Sequence, residues 1–161
     1  PNKEIIYLMK LLELYIDKEI KNIIKNGIKI KIIGEIKKFP LKLKKKLKNS
    51  EKLTRNNKRI HVNIALNYGS RQEILNSINI IKKKSLKFNE KNISKYLYTN
   101  TIPDPEILIR TGGFQRLSNF MLLNLSYSDL FFTNTLWPEF SINELEKIIN
   151  QYSNIKKNYG L

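Results

Sequence analysis

Apolar and polar positions alternate along this chain with two periods, and the change between them marks the elements. In "NKEIIYLMKLLELYIDKEIKNIIKNG", Ile5, Leu8, Leu12, Tyr15, Ile16, Ile20 and Ile23 recur at helical spacing, and Asn26-Gly27 supplies a stop. "IKIKIIGEI" alternates apolar residues with lysine and predicts a strand. A basic amphipathic helix is predicted over roughly Leu41–Leu53, after a proline. "RIHVNIALNYG" predicts the next strand, with Ile60, Val62, Ile64 and Leu66 on one face and His61 turned out of it. "SRQEILNSINIIKKKS" reads as a helix in which Ser70 caps and Glu73 completes a capping box. A short helix in "KNISKYLYT" precedes the turn "IPDP", where Asp104 is a turn residue. "EILIRT" and "DLFFTN" predict strands, "RLSNFMLLNLS" a helix between them, and "SINELEKIINQYSNI" a closing helix. Trp137 and Pro138 read as a packed corner after the last strand. Four strands separated by helices imply an α/β fold with a largely parallel central sheet and helices on both faces.

Two features of that pattern are unusual. The chain opens directly on a helix, and four strands are few for so many helices. At 161 residues one domain is expected, spanning the whole chain. The absence of cysteine excludes disulfides, a thiolate nucleophile and a Cys-based zinc site, and a single histidine excludes a His-rich metal centre. No apolar run reaches the length of a membrane span and no signal-peptide pattern opens the chain, so a cytoplasmic protein is expected. Net charge is +16. Residues 1–100 hold 25 basic against 8 acidic side chains, whereas residues 101–161 hold 5 against 6. The basic excess therefore lies in lysine runs on helix faces. It reads as a solvated face, with a polyanion groove or an anionic membrane surface as alternatives.

Against 25 lysines the chain has 5 arginines, and two of them flank the Gly-Gly pair in "ILIRTGGFQRLSNF". A guanidinium offers a rigid fork of donors that fits a phosphate at two points, which an ammonium does not. Arg110 at a strand's carboxyl end, Arg116 six residues on, and Ser118 in the first turn of the predicted helix would suit phosphate or diphosphate. A glycine turn carrying two surface arginines fits equally. The stretch is neither a Walker loop nor a GxGxxG fingerprint. Asp129 stands among apolar residues at the start of a strand, where a carboxylate needs a donor or a cation. Mg²⁺ shared with a diphosphate is one partner, and a simple turn acid is the other reading. In "NIALNYGSRQEI", Asn67 and Arg71 are placed to shape a pocket at a second strand end, to bind across a subunit boundary, or to serve the turn.

Taken together, "PDPEILIRTGGFQRLSNFMLLNLSYSDLFFTNTLWPEF" closely resembles the carboxyl-proximal signature of cis-prenyltransferases, the undecaprenyl diphosphate synthase family. "NIALNYGSRQEI" is similar to the family's second internal block, and "PNKEIIYLMKLL" to the helix after its Asn-Trp-x-Arg-Pro segment. The resemblance runs from Pro1 to Gly160. It implies condensation of isopentenyl diphosphate onto an allylic diphosphate, usually farnesyl diphosphate, with cis double bonds, yielding a polyprenyl diphosphate carrier for cell-wall synthesis. It also implies a Mg²⁺-dependent homodimer, with contact to a membrane surface through its product. Isopentenyl diphosphate binding falls on Arg110, Arg116, the Leu117 backbone and Ser118, and metal binding on Asp129. The family's catalytic Asp block, its first strands and a helix are expected upstream of Pro1, so this chain is read as a carboxyl-terminal portion that does not catalyse alone. Departures are Asp129 and Phe114 where the family usually has Glu, Ser70 for Gly, and a tail thinned to "IKKNYG". A non-catalytic partner subunit or remnant of the family, and a basic nucleic-acid-binding module, are the alternatives.

Overall fold

The structure, a computed structural model, describes residues 2–156, the side chain of Asn2 excepted. The chain divides into two compact units, residues 1–99 and 100–161.

In the first unit the order is α1 (Asn2–Lys25), β1 (Ile28–Ile33), α2 (Leu41–Thr54), β2 (Ile60–Ala65), α3 (Ser70–Lys83) and α4 (Glu90–Lys95). Helix α1 ends where Gly27 enters the left-handed region at φ +67°. Strands β1 and β2 pair in parallel from Ile28 opposite Ile60 to Ile33 opposite Ala65. Helix α2 is their crossover, as a parallel pair requires. It buries Leu43 and Leu47 and leaves its lysines outside.

The same helix closes the outer edge of β1. Thr54 Oγ1 accepts from the Ile30 amide at 3.1 Å and Glu51 Oε1 from the Ile32 amide at 2.8 Å. Asn57 Nδ2 donates to the Ile28 carbonyl at 2.7 Å. Side chains thus take the place of a neighbouring strand, which leaves that edge unable to recruit one. Burial lowers the Lys31 ammonium pKa, partly offset by Glu51 and reinforced by Lys29.

The carboxyl ends of β1 and β2 approach closely. Gly34 has φ +107°, and a Cβ there would lie 2.2 Å from the Leu66 carbonyl oxygen. Asn67 also has positive φ, and its Nδ2 donates to the Glu35 carbonyl at 2.9 Å. The expected capping box at α3 does not form. Gly69 is the N-cap, Ser70 lies inside the helix, and Glu73 turns into the interior. There it accepts from Tyr68 Oη at 2.5 Å, the Thr99 amide at 2.9 Å and Thr99 Oγ1 at 3.0 Å. These interior partners outcompete a cap because a buried carboxylate must be fully hydrogen-bonded.

The second unit contains β3 (Ile107–Arg110), β4 (Asp129–Phe132), a 3₁₀ turn at Trp137–Glu139 and α5 (Ile142–Ser153). β3 and β4 pair in parallel, Ile107 opposite Asp129 and Arg110 opposite Phe132. The α/β class and the parallel pairing agree with the sequence reading, and among the described residues the pairing falls into two two-stranded ladders.

The helix expected over "RLSNFMLLNLS" is absent. Residues 117–127 run as successive turns, with Ser118, Asn119 and Met121 at positive φ. Ser and Asn side chains compete with the backbone for local hydrogen bonds, which favours turns over a helix interior. Met121 and Leu125 are nevertheless buried, so the apolar spacing is used without the helix. Trp137 is not a packed corner either: it is 75% exposed and stacks on Phe140, with ring centroids 6.3 Å apart.

Candidate functional site

Arg110 is the last residue of β3, and the chain then turns through Gly112 and Gly113. Three backbone bonds fix this segment to the stretch after β4. The Thr133 amide donates to the Arg110 carbonyl at 3.0 Å, the Gly113 amide to the Thr133 carbonyl at 2.9 Å, and the Gly112 amide to the Thr135 carbonyl at 2.9 Å. The glycine amides are therefore consumed, and with no helix N-terminus following, the backbone donors expected for an anion are not presented there.

Side chains converge instead. Arg110 Nη1 donates to Ser118 Oγ at 3.0 Å and to the Arg116 carbonyl. Both guanidiniums lie by the Phe114 ring, Arg116 at 4.2 Å and Arg110 at 5.8 Å from its centroid. Phe114, where the resemblance leads one to expect a glutamate, holds the two cations through its ring face. Among the described residues no carboxylate forms a salt bridge with Arg110 or Arg116. Two guanidiniums on one ring, with the Ser118 hydroxyl on Arg110, are an arrangement chemically suited to a multiply charged oxyanion. The turn brings Arg110, Arg116 and Ser118 together, and Leu117 lies within it, its carbonyl accepting from the Phe120 amide at 3.0 Å.

Asp129 opens β4, half-buried, with its amide donating to the Glu106 carbonyl at 2.9 Å. Its register partner is Ile107, three positions before Arg110. At the strand rise this separates it from Arg110 by about 10 Å along the ladder. Among the described residues no cluster of three or more His, Cys, Asp or Glu forms a metal cage. One carboxylate fits a Mg²⁺ whose remaining ligands are phosphate oxygens and water, and does not fit a protein-only site. Asp104, exposed in its turn, accepts from Asn124 Nδ2 at 2.7 Å and ties that turn to residues 117–127.

Sequence reasoning missed the support behind the fork. Glu144, at the third position of α5, forms a capping box with Ser141 and also accepts from Thr135 Oγ1 at 2.6 Å and Thr133 Oγ1 at 3.3 Å. These bonds, Thr135 first, hold its carboxyl below the usual glutamate range against the opposing effect of burial. The "SINE" pattern ahead of an apolar run was the available signal.

The first unit carries a separate cavity of about 550 Å³ at the carboxyl ends of β1 and β2. Ile5, Leu8, Met9, Leu12, Phe39 and Leu66 line it, with Lys38 and Asn67 as its polar members. Asn67 is thus a pocket residue, whereas Arg71 sits exposed in the first turn of α3. His61 is exposed as expected, but so are Ile60 and Val62, and the expected apolar face of β2 is half-buried only from Ile64 on.

Comparison with known proteins bears directly on these two features. The family model for undecaprenyl diphosphate synthase, a prenyltransferase family, matches residues 1–160. This chain belongs to that family. It is 44% identical over 161 residues to an isoprenyl transferase of Fusobacterium nucleatum, covering 99% of this chain and 70% of the relative. An isoprenyl transferase of Rickettsia typhi is 39% identical, with 99% and 71% covered. Among solved structures, a probable undecaprenyl diphosphate synthase from Campylobacter jejuni superposes with a TM-score of 0.91 at 30% identity, over 100% of this chain and 76% of that one. A lavandulyl diphosphate synthase from Lavandula x intermedia, solved with dimethylallyl diphosphate, gives 0.92 at 27% identity, over 100% and 73%. Family membership does not favour the nucleic-acid reading of the basic face. Among the described residues, no helix is long and apolar enough to cross a membrane.

Proposed function

We propose that this cis-prenyltransferase chain serves elongation of an allylic diphosphate by isopentenyl diphosphate, toward a polyprenyl diphosphate lipid carrier for cell-wall synthesis. The observation that carries the reading is the Arg110–Arg116–Ser118 fork, two guanidiniums on one aromatic ring, in no salt bridge among the described residues, with the Ser118 hydroxyl on Arg110. The fork grips the diphosphate of isopentenyl diphosphate, with the Leu117 backbone completing the turn. The cavity of the first unit, lined by aliphatic side chains and Phe39, suits a hydrocarbon chain.

In the reaction, the allylic C–O bond breaks and diphosphate leaves with the electron pair. The alkene of isopentenyl diphosphate supplies the electrons for the new C–C bond, and a proton is lost to restore a double bond. The residues of this chain contribute binding, orientation and exclusion of water, which raise the effective concentration of the alkene at the allylic carbon. Mg²⁺ bound through Asp129 and phosphate oxygens would supply charge stabilisation for the departing diphosphate.

Self-association belongs to the same proposal. Phe132, Leu136, Trp137, Ile142 and Ile149 are exposed apolar side chains of the second unit, of the kind a homodimer covers. The setting is cytoplasmic, with the lipid product at a membrane surface. Calorimetric titration with isopentenyl diphosphate tests the fork. Binding should weaken at least tenfold in Arg110→Ala and in Arg116→Ala, and unchanged affinity in both would overturn the assignment.

A further inference from the structure

We infer that Glu144 is a positioning residue: through the Thr133 and Thr135 hydroxyls its carboxylate sets the Arg110–Gly113 turn, and with it the aim of the diphosphate fork. Beyond the β3–β4 ladder that holds Arg110, the backbone bonds of residues 110, 112 and 113 run to Thr133 and Thr135. Those two residues lie beyond the end of β4, so no ladder fixes them. Their own anchor is Glu144 Oε1, which accepts from Thr135 Oγ1 at 2.6 Å and from Thr133 Oγ1 at 3.3 Å. The two hydroxyls lie 3.2 Å apart, and the Thr135 amide donates to Thr133 Oγ1 at 3.2 Å.

A helix-capping glutamate needs only the N-cap amide, and Glu144 meets that need with Oε2, which accepts from the Ser141 amide at 3.3 Å. Capping leaves Oε1 unexplained, because its partners lie nine and eleven residues back along the chain. Hydrogen bonds to an ionised acceptor are the stronger kind. The depressed Glu144 pKa is the expected mark of such bonds, with the Thr135 hydroxyl its largest cause. The path is therefore short and continuous: α5 carboxylate, two threonine hydroxyls, two threonine carbonyls, two glycine amides, Arg110.

The ligand half of this inference rests on the diphosphate reading of the fork, and the conformational half does not, so the test measures both. Amide hydrogen exchange at Gly112 and Gly113 reports the turn, and calorimetry with isopentenyl diphosphate reports the grip. Glu144→Ala should speed exchange at both amides roughly tenfold, the size expected when a charge-assisted hydrogen bond is lost. It should weaken isopentenyl diphosphate by a similar factor. Glu144→Gln keeps an acceptor oxygen for the threonines and should restore both to within about twofold. Ser141→Ala removes the cap and should move neither. Thr135→Val leaves the helix cap intact, should raise exchange at Gly112, and serves if the alanine variant fails to fold. Unchanged exchange in Glu144→Ala or Thr135→Val, no rescue by Gln, or an effect of Ser141→Ala as large as that of Glu144→Ala overturns the inference. Wild-type protein that does not bind, or Arg110→Ala that binds as well as wild type, defeats the diphosphate reading, and the exchange results still decide the role of Glu144.

Discussion

Gly34→Ala is the sharpest single test of how the strand ends that frame the apolar cavity are built. The added Cβ would stand 2.2 Å from the Leu66 carbonyl oxygen, more than an ångström inside normal contact, at a backbone angle of φ +107°. The chain cannot give way easily on either side. The Leu66 amide is bonded to the Ile33 carbonyl at 2.9 Å, and the Glu35 amide to the Asn67 carbonyl at 3.3 Å. Relief therefore means breaking one of these bonds or opening the β1–β2 end. Backbone strain of about 1–3 kcal/mol and overpacking of about 1–3 kcal/mol together give roughly 4 kcal/mol. That is nearly three decades in the folding constant of the first unit.

Gly27→Ala is the internal comparison. Its φ of +67° is similar in sign, but its new Cβ would meet only the Arg59 side chain, at 3.2 Å. Strain alone predicts about 1 kcal/mol there. Urea denaturation followed by far-UV circular dichroism on both variants reads the difference directly. A Gly34→Ala loss no larger than that of Gly27→Ala would refute the claim that backbone contact between Gly34 and Leu66 shapes this end of the sheet.

Arg116→Lys preserves the charge but not the planar fork or its stacking on Phe114, so isopentenyl diphosphate affinity should fall about tenfold by calorimetry, where a point-charge role would leave it unchanged. Glu73→Ala removes a buried acceptor from Tyr68 and Thr99 and should destabilise the first unit by roughly 3 kcal/mol in urea. Thr54→Val strips the Ile30 amide of its acceptor in a fully buried setting and should cost about 2 kcal/mol by the same measurement. Glu144, whose folded pKa is depressed, stabilises the second unit fully above the ordinary glutamate pKa and loses that contribution as pH falls through the lower folded value. Thermal melts across that acid range should therefore show a pH dependence that Glu144→Gln flattens.

The elements that were legible in the sequence are those whose pattern is local. Helix α1 and its glycine stop, the alternating strands β1 and β2, and the short strands bounded by turns all follow from period and punctuation. The arginine pair was legible for a different reason. In a chain that otherwise uses lysine, the choice of guanidinium is itself a chemical signal. What escaped the reading depends on interior partners and backbone angles that residue spacing does not encode. Glu73 has the spacing of a capping residue, yet the interior offers it Tyr68 and Thr99. "RLSNFMLLNLS" has helical apolar spacing, yet Ser118 and Asn119 adopt left-handed angles and the segment buries Met121 and Leu125 from turns. Thr133 and Thr135 look like ordinary strand-end residues until Glu144 is folded back against them.

These misses share a physical cause that bears on how the fork works. A diphosphate site built from a helix N-terminus would hold its anion with fixed backbone dipoles, whatever the neighbouring side chains did. Here the glycine amides are spent on Thr133 and Thr135, and residues 117–127 present no helix end. On the proposed diphosphate reading, the fork relies on two guanidiniums whose direction is set by one turn, one aromatic ring and one hydroxyl. Such a site keeps its positive charge when its geometry is disturbed but loses its two-point fit. Variants in the supporting residues should accordingly weaken discrimination between diphosphate and monophosphate before they abolish anion binding. Titrating the Phe114→Ala protein with isopentenyl diphosphate and isopentenyl monophosphate separates the two cases. A ratio of affinities that falls toward one supports side-chain aiming, and a ratio equal to that of the wild type contradicts it.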